Sequence, residues 1–429
     1  MTAVRLQQLS KRIYQPEFPA NIFKLDRGLT VIHQHLPATP VVVTDVWVRA
    51  GAIAEPDEWS GMAHFLEHMI FKGSKRIAPG IFDQVIEHSG GITNAATSHD
   101  YAHFFLTTAA EYLPETLPYL ADILLHASIP DEEFFRERDV VLEEIRSCYD
   151  DPDWIGFQAL CETLYQRHPY RRSILGDEAQ ILQYSPNQMR CFHQTHYQPE
   201  NMSVVIVGGV GQETALSLVN RYFAEFSVRS ECPPNAIEAE PPLIDVRRSE
   251  LYLPRIGQAR LSMAWSGPGV EYLQDAFGLD LLSVILSGGR SSRLVRELRE
   301  EKQWVVDISS EFSLQRDSSL FTINAWLEPR NLKPVEETIR EHIAQLQVTP
   351  IPESELRRSK CLLRNDYIFS TETPGQLAGL YGYYQTVASA ELSVTYPAQI
   401  QQFQGSDLQR IASQYLSPER YAVTILKPC

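Results

Sequence analysis

Two α+β domains built to one plan are what this sequence predicts, and three observations predict them. The chain has 429 residues, more than a single hydrophobic core organises, since cores stop growing at roughly 250 to 300 residues. Its sharpest break in composition is SECPPNAIEAEPPLID, Ser230 to Asp245, where four prolines and several acidic residues interrupt any periodic pattern. A linker there separates residues 15–229 from residues 246–429. The third observation is that the order of strands and helices before the break recurs after it.

In the first half an apolar, β-branched run predicts a strand at Val41–Arg49, and HFLEHMIF and Ile81–His88 predict helices. Strands follow near Ile92–Thr97 and His103–Thr108, then several helices between Tyr112 and Phe192, a strand at Met202–Val207 and a closing helix. The second half reads as a strand at Ala259–Trp265, helices through FGLDLLSVIL and SSRLVRELRE, and two strands between Val305 and Trp326. Helices to Tyr415 and a strand at Tyr421–Leu426 complete it. Laying the halves together sets Gly51 on Gly267 and Gly73 on Gly289, each ending a strand or helix where a positive φ is expected. In that register His64, Glu67 and His68 fall on Asp280, Ser283 and Val284, so metal-binding residues belong to the first half alone.

Composition narrows the function. Hydrophobic residues make up 44% of the chain and charged residues 21%, which is ordinary for a folded protein. A net charge of -16 argues against nucleic acid as a partner, because phosphate binding needs clustered Lys and Arg. The six cysteines show no CxxC pair and no regular spacing, so they read as reduced thiols. The opening MTAVRLQQLSKRIYQ lacks the apolar core of a signal peptide, and no later stretch approaches the length of a membrane span. A cytoplasmic location is the expectation.

The chemistry concentrates in SGMAHFLEHMIF. With Ser60 as the expected N-cap, a helix places His64 and His68 four residues apart on one face, where two imidazoles can share one metal. Glu67 stands on the neighbouring edge of that face, within reach of a water at the metal, which is the position of a general base. A catalytic zinc site needs a third protein ligand from elsewhere, and the acidic helix DEEFFRERDVVLEEIRSCYD offers one. There Glu137 and Glu144 lie two turns apart on one face, with Val140 and Val141 as apolar packing beside them. Spacing alone does not choose between Glu137, Glu143 and Glu144. His99 and His103 also stand four apart, but on a turn and a strand their side chains need not converge.

HxxEH is the inverted zincin order. Together with GMAHFLEHMIFKGS, GGITNAATSHDYAHFFLT and ERDVVLEEI it resembles the M16 metallopeptidases, within them the short-chain branch that includes mitochondrial processing peptidase and its bacterial relatives. The resemblance covers essentially the whole chain. It implies an α+β fold of two homologous domains, each an antiparallel-rich sheet covered by helices: the mitochondrial processing peptidase/LuxS-like metallohydrolase fold. It implies one zinc ion per chain, with Glu144 as third ligand, Glu137 as the supporting residue of the catalytic site, and Glu143 facing elsewhere. Family members bind substrate as an added strand, which here falls on Asn94, Ala95 and Ala96, with small side chains to admit a peptide backbone. Activity is expected on unfolded or presequence-like peptides.

One departure stands out. Active members complete the site from the C-terminal domain with an arginine and, seven residues on, a tyrosine; here the arginine is Arg299 and the tyrosine position is Val306, which has no hydroxyl to donate. The resemblance therefore implies a dimer, with a heterodimer formed with a homologous chain carrying the arginine and tyrosine favoured over a homodimer. The alternative is a non-catalytic scaffold or chaperone-like subunit, against which the intact HxxEH and its distal glutamate argue.

Overall fold

The computed structural model describes residues 17–235 and 237–429. The N-terminal stretch read above for a signal peptide, and residues 15 and 16 of the first half, lie outside the described residues. The first sheet has the order β1 (Asn21–Lys24), β2 (Thr30–His35), β6 (Met202–Gly208), β3 (Val41–Val48), β5 (Ala102–Ala109), β4 (Ile92–Thr97). The second has the order β7 (Arg247–Leu253), β11 (Ala422–Pro428), β8 (Ala259–Ser266), β10 (Leu320–Leu327), β9 (Val305–Ser313). From β2 onward the first order repeats in the second, down to the single parallel pair of each sheet, β2 with β6 and β7 with β11. The remaining pairings are antiparallel.

Strands β1, β2 and β7 escape the sequence pattern for a physical reason. In TVIHQH and RRSELYL polar and charged residues alternate with apolar ones or end the run, and β1 is four residues long and only partly buried. Such segments read as loop until a neighbouring strand supplies their hydrogen bonds. Gly51 and Gly267 also differ from expectation, since neither has positive φ, whereas Gly73 and Gly289 do. A Cβ at Gly51 would lie 2.3 Å from the Ser98 carbonyl oxygen, so that glycine serves close approach to the β4–β5 turn.

Helices of the first half are α1 (Met62–Ile70), α2 (Ile81–His88), α3 (Leu113–Leu125), α4 (Asp131–Cys148), α5 (Pro152–Leu164), α6 (Glu178–Ile181), α7 (Pro186–His196) and α8 (Gln212–Tyr222). Those of the second are α9 (Leu273–Ser287), α10 (Leu332–Val348), α11 (Glu353–Phe369), α12 (Pro374–Val387), α13 (Leu392–Gln402) and α14 (Gly405–Tyr415). One face of each sheet carries its own half's core: Val46, Phe104 and Val204 under Phe65, Leu117 and Phe192 in the first, Met263, Ile323 and Val423 under Leu282, Ile339 and Ile411 in the second. Between α8 and β7 the described residues form no helix or strand. Glu240 ties this segment down by accepting the backbone N–H groups of Gln166, Arg167 and His168.

On the opposite faces the halves exchange helices. Helix α5 lies on β11, β8 and β7, burying Leu160, Leu164 and Tyr165 against Ala264, Leu320 and Ala422. In return α12 lies on β3 and β6, where Ala378 and Tyr381 meet Val43, Trp47 and Val205. Gly382 is where α12 touches down: a Cβ there would stand 2.0 Å from Trp47 Nε1. Alanine is the better helix former by about 1 kcal/mol. Even so, Gly382→Ala is expected to destabilise the chain by about 1–3 kcal/mol, because overpacking outweighs propensity in a filled contact. Urea unfolding checks the sign, and an increase in stability would mean that Trp47 moves aside freely.

Candidate metal centre

Helix α1 divides its faces cleanly. Phe65, Leu66, Met69 and Ile70 are fully buried in the core, while His64, Glu67 and His68 occupy the other side. Ser60 is not the N-cap. Gly61, at φ 88°, precedes the helix, and no side chain in the capping position bonds to it. The first-turn N–H groups are instead taken by the buried carboxylate of Glu55, which accepts Gly61 N–H at 3.0 Å and Ala63 N–H at 2.8 Å. Burial pushes that carboxyl up to about 8, against the pull of these bonds and of Arg172. Gly61 also packs on Gly176; a Cβ on either would stand 2.7 Å from the other's Cα.

Helix α4 packs along α1, with the Phe65 and Phe134 rings 4.7 Å apart. Phe134, Val141 and Ile145 face the core, so that Glu137 and Glu144 are delivered beside the histidines. Val140, expected to pack there, is exposed. The Nε2 atom of His64 lies 3.7 Å from Glu144 Oε1, and that of His68 3.3 Å from Glu144 Oε2. One ligand atom from each of these three residues falls within 4.8 Å of the others, the single such grouping of metal-ligating residues among the described residues. Glu143 turns away to pair with Arg146.

The surroundings prepare these donors. Glu137 Oε1 accepts the Nδ1–H of His68 at 3.1 Å and its other oxygen meets Lys72 Nζ at 2.6 Å, which holds the ring with Nε2 turned to Glu144. Glu67 stands outside the donor set, and Thr97 Oγ1 donates to its carboxylate at 2.6 Å. Burial raises the Glu67 pKa, opposed by the Thr97 bond. Burial and the neighbouring His68 charge lower His64 to about 4. For His68 burial works downward too, but the bonds to Glu137 and Glu144 prevail and lift it to about 9.

Two imidazole nitrogens and one carboxylate oxygen, with one histidine braced by a second carboxylate, fit zinc by donor type and number. The half-exposed Glu144 side chain leaves the group open to solvent on one side. With His68 lifted to about 9 and His64 lowered to about 4, the metal-free protein is expected to carry a proton on His68 and none on His64 at neutral pH. Binding a divalent cation there must therefore release one proton, and apparent affinity is expected to rise about tenfold per pH unit from 7 to about 9, then level off. Competition against an indicator chelator measures this, and a flat profile would mean that His68 gives up no proton to the metal.

Residues 30–178 match the model described as Insulinase (Peptidase family M16), and residues 183–363 match that of the Peptidase M16 inactive domain. The chain belongs to peptidase family M16. Among its M16 relatives, the zinc protease PqqE of Helicobacter pylori is 28% identical over 408 residues, covering 94% of this chain and 92% of that protein. The uncharacterized zinc protease YmxG of Bacillus subtilis is 26% identical over 412 residues, covering 95% and 98%. The solved structure of a protease from Helicobacter pylori, at 27% identity, superposes with a TM-score of 0.89 over 97% of this chain and all of that one.

The second M16 half holds no such donor set at the matching positions. Asp280, in the place of His64, is half-buried and accepts a hydrogen bond from Tyr396, while Ser283 donates to the Asp280 carbonyl oxygen. The residues expected to meet substrate are scattered more widely. Asn94 and Ala96 are exposed on β4, which ends its sheet with one described neighbour, β5; Ala95 points the other way and packs on the core. Asn94 Oδ1 accepts the N–H of Ala95. Arg299 is not brought to the metal residues: it lies in a π-helical turn, Val295–Glu301, bonded to Glu300 and Asp307. Val306 is the extra residue of a β-bulge, since Val305 pairs with Leu327 and Asp307 with Trp326, and its side chain is exposed.

Glu55, Lys72 and Thr97 are contributors that the motif reading passes over. Lys72 is the one with a sequence signal, four residues beyond His68 in the turn that follows α1. Glu55 and Thr97 reach their partners through loop and strand geometry that no fixed spacing encodes.

Proposed function

We propose that the chain is a zinc metalloendopeptidase that hydrolyses unfolded peptides, and that it is the zinc-bearing subunit of a pair completed by a homologous chain. The observation that carries the reading is the convergence of His64, His68 and Glu144 beside a glutamate, Glu67, that is not among them. The names zinc protease PqqE and zinc protease YmxG on relatives across nearly the full chain support it.

His64, His68 and Glu144 would hold the ion, with Glu137 fixing the His68 ring. Bound there, zinc supplies Lewis-acid charge that polarises a carbonyl and acidifies a water beside it. Glu67 has a free carboxylate oxygen to take the proton from the attacking water, and Thr97 holds the other oxygen in place. Once protonated, Glu67 returns that proton to the departing amine nitrogen. The free edge of β4 suits an extended peptide, whose backbone would pair with the strand that carries Thr97. A folded substrate has no such segment to offer. The exposed, hydroxyl-free Val306 supports a partner chain that supplies the missing donor.

The test is cleavage of a mixture of unstructured peptides by the purified chain, with zinc determined on the same sample. Zinc with cleavage supports the peptidase and rejects the need for a partner. Zinc without cleavage that is restored by a homologous chain bearing the arginine and tyrosine supports both parts. Zinc with no cleavage under either condition favours the scaffold, and absence of zinc rejects the metal centre.

A further inference from the structure

The first residues of the linker run along α7, and two thiols meet there. Thr195 Oγ1 donates to the Ser230 carbonyl oxygen at 3.0 Å and accepts the N–H of Cys232 at 3.2 Å. Cys191, one turn earlier on that helix, brings its Sγ within 3.2 Å of Ser230 Oγ. Cys232 Sγ lies 3.7 Å from Nε2 of His196, the last residue of α7. Cys191 is also the thiol that Cys232 faces: burial pushes the Cys232 thiol up, and Cys191 adds to the shift by charge and as a hydrogen-bond partner. Both cysteines are half-buried, unlike Cys161, which is enclosed and pushed up to about 12. In the chain they are separated by β6 and α8, so the fold alone brings them together.

We infer that Cys191 and Cys232 form a reversible disulfide site, oxidised by low-molecular-weight disulfides, that staples the linker to α7. Thiol–disulfide exchange needs two neighbouring thiols with access for a small reagent, and this pair meets both conditions. Cys232, having lost its proton to water, attacks one sulfur of the small disulfide. A mixed disulfide forms, the incoming S–S bond breaks, and the first small thiolate leaves and takes a proton from water. Cys191 then loses its proton and attacks the Cys232 sulfur, forming the bond within the chain and releasing the second small thiol. The chain gives up two electrons and two protons, and the small disulfide carries them away as two thiols. Burial makes the Cys232 thiolate scarce at neutral pH, so the exchange is slow. Burial also lowers His196 to about 4, and the neutral ring can accept the Cys232 S–H and fix where it points. The staple lies on the path from the linker to the metal helix. Asn235, three residues past Cys232, donates to the Ile53 carbonyl oxygen, in the segment that leads to Glu55 at the start of α1. A covalent ring closed through β6 and α8 restricts the unfolded chain and so favours the folded one.

In the experiment the zinc-loaded chain is incubated with oxidised glutathione, the remaining thiols are alkylated in denaturant, and the digest is mapped by mass spectrometry. Two of the six cysteines should escape alkylation, joined as a Cys191–Cys232 peptide pair, and excess reduced glutathione should return them. Cys191→Ser should stop instead at a glutathione adduct on Cys232. The oxidised chain should melt several degrees above the reduced one, and Cys232→Ser should show no such rise. A linked pair involving any other cysteine, a glutathione adduct that the parent chain never resolves, or six alkylated thiols after prolonged incubation would overturn the assignment. A Cys191–Cys232 bond that leaves the melting temperature unchanged would overturn the staple.

Discussion

Glu67→Gln is expected to bind zinc as the parent chain does and to lose turnover by about 10²- to 10⁴-fold, the usual contribution of a positioned acid–base group. The change is nearly isosteric. Thr97 Oγ1 can still donate to the amide oxygen, so the local hydrogen bond survives. Glu67 is also outside the converging donors, so metal stoichiometry should not move. What disappears is a group that can take a proton and give it back. Burial already raises the Glu67 pKa, which makes it a better proton acceptor than an exposed glutamate and the amide a correspondingly poor replacement. Single-turnover cleavage with zinc measured on the same samples decides this, and near-normal turnover in the variant would remove Glu67 from the mechanism.

His68→Ala should produce the opposite pattern, with metal lost and activity lost as a consequence. His68 is the hub of the site, facing Glu144 through Nε2 and Glu137 through Nδ1. Without it two carboxylates remain, with Lys72 on Glu137 and a more distant contact from His64 to Glu144. A ligand that binds only the folded state stabilises it by about 2.7 kcal/mol at a free concentration one hundred times its Kd. The parent chain should therefore lose thermal stability when metal is stripped and recover it on readdition. The melting temperature of His68→Ala should respond to neither. Stoichiometric zinc retained by this variant, or by His64→Ala, would reject the ligand assignment.

The helical part of the site was legible because it is local. His64, Glu67 and His68 lie within five residues, and the period of an α-helix alone puts the two imidazoles on one side. Glu137 and Glu144 share a face for the same reason. Choosing Glu144 over Glu143 is another matter. It depends on which side of α4 meets α1, and that follows from Phe134, Val141 and Ile145 entering a core whose other walls are far away in sequence. The family resemblance supplied that choice before the packing could. The cap of α1 shows the limit of local reading: Ser60 has the right residue type, yet a left-handed Gly61 and a buried Glu55 take over its task.

By itself the sequence determined the duplication, the placement of metal-binding residues in the first half only, and the lack of a hydroxyl at Val306. Each is a matter of residue identity and short-range period. Only the tertiary structure decided that α5 and α12 cross to the opposite sheets and that Val306 sits in a bulge. These depend on strand register and helix docking between segments as many as several hundred residues apart. No local pattern records which strand a residue will face, because that is settled by which surfaces bury the most apolar area together once the whole chain has folded.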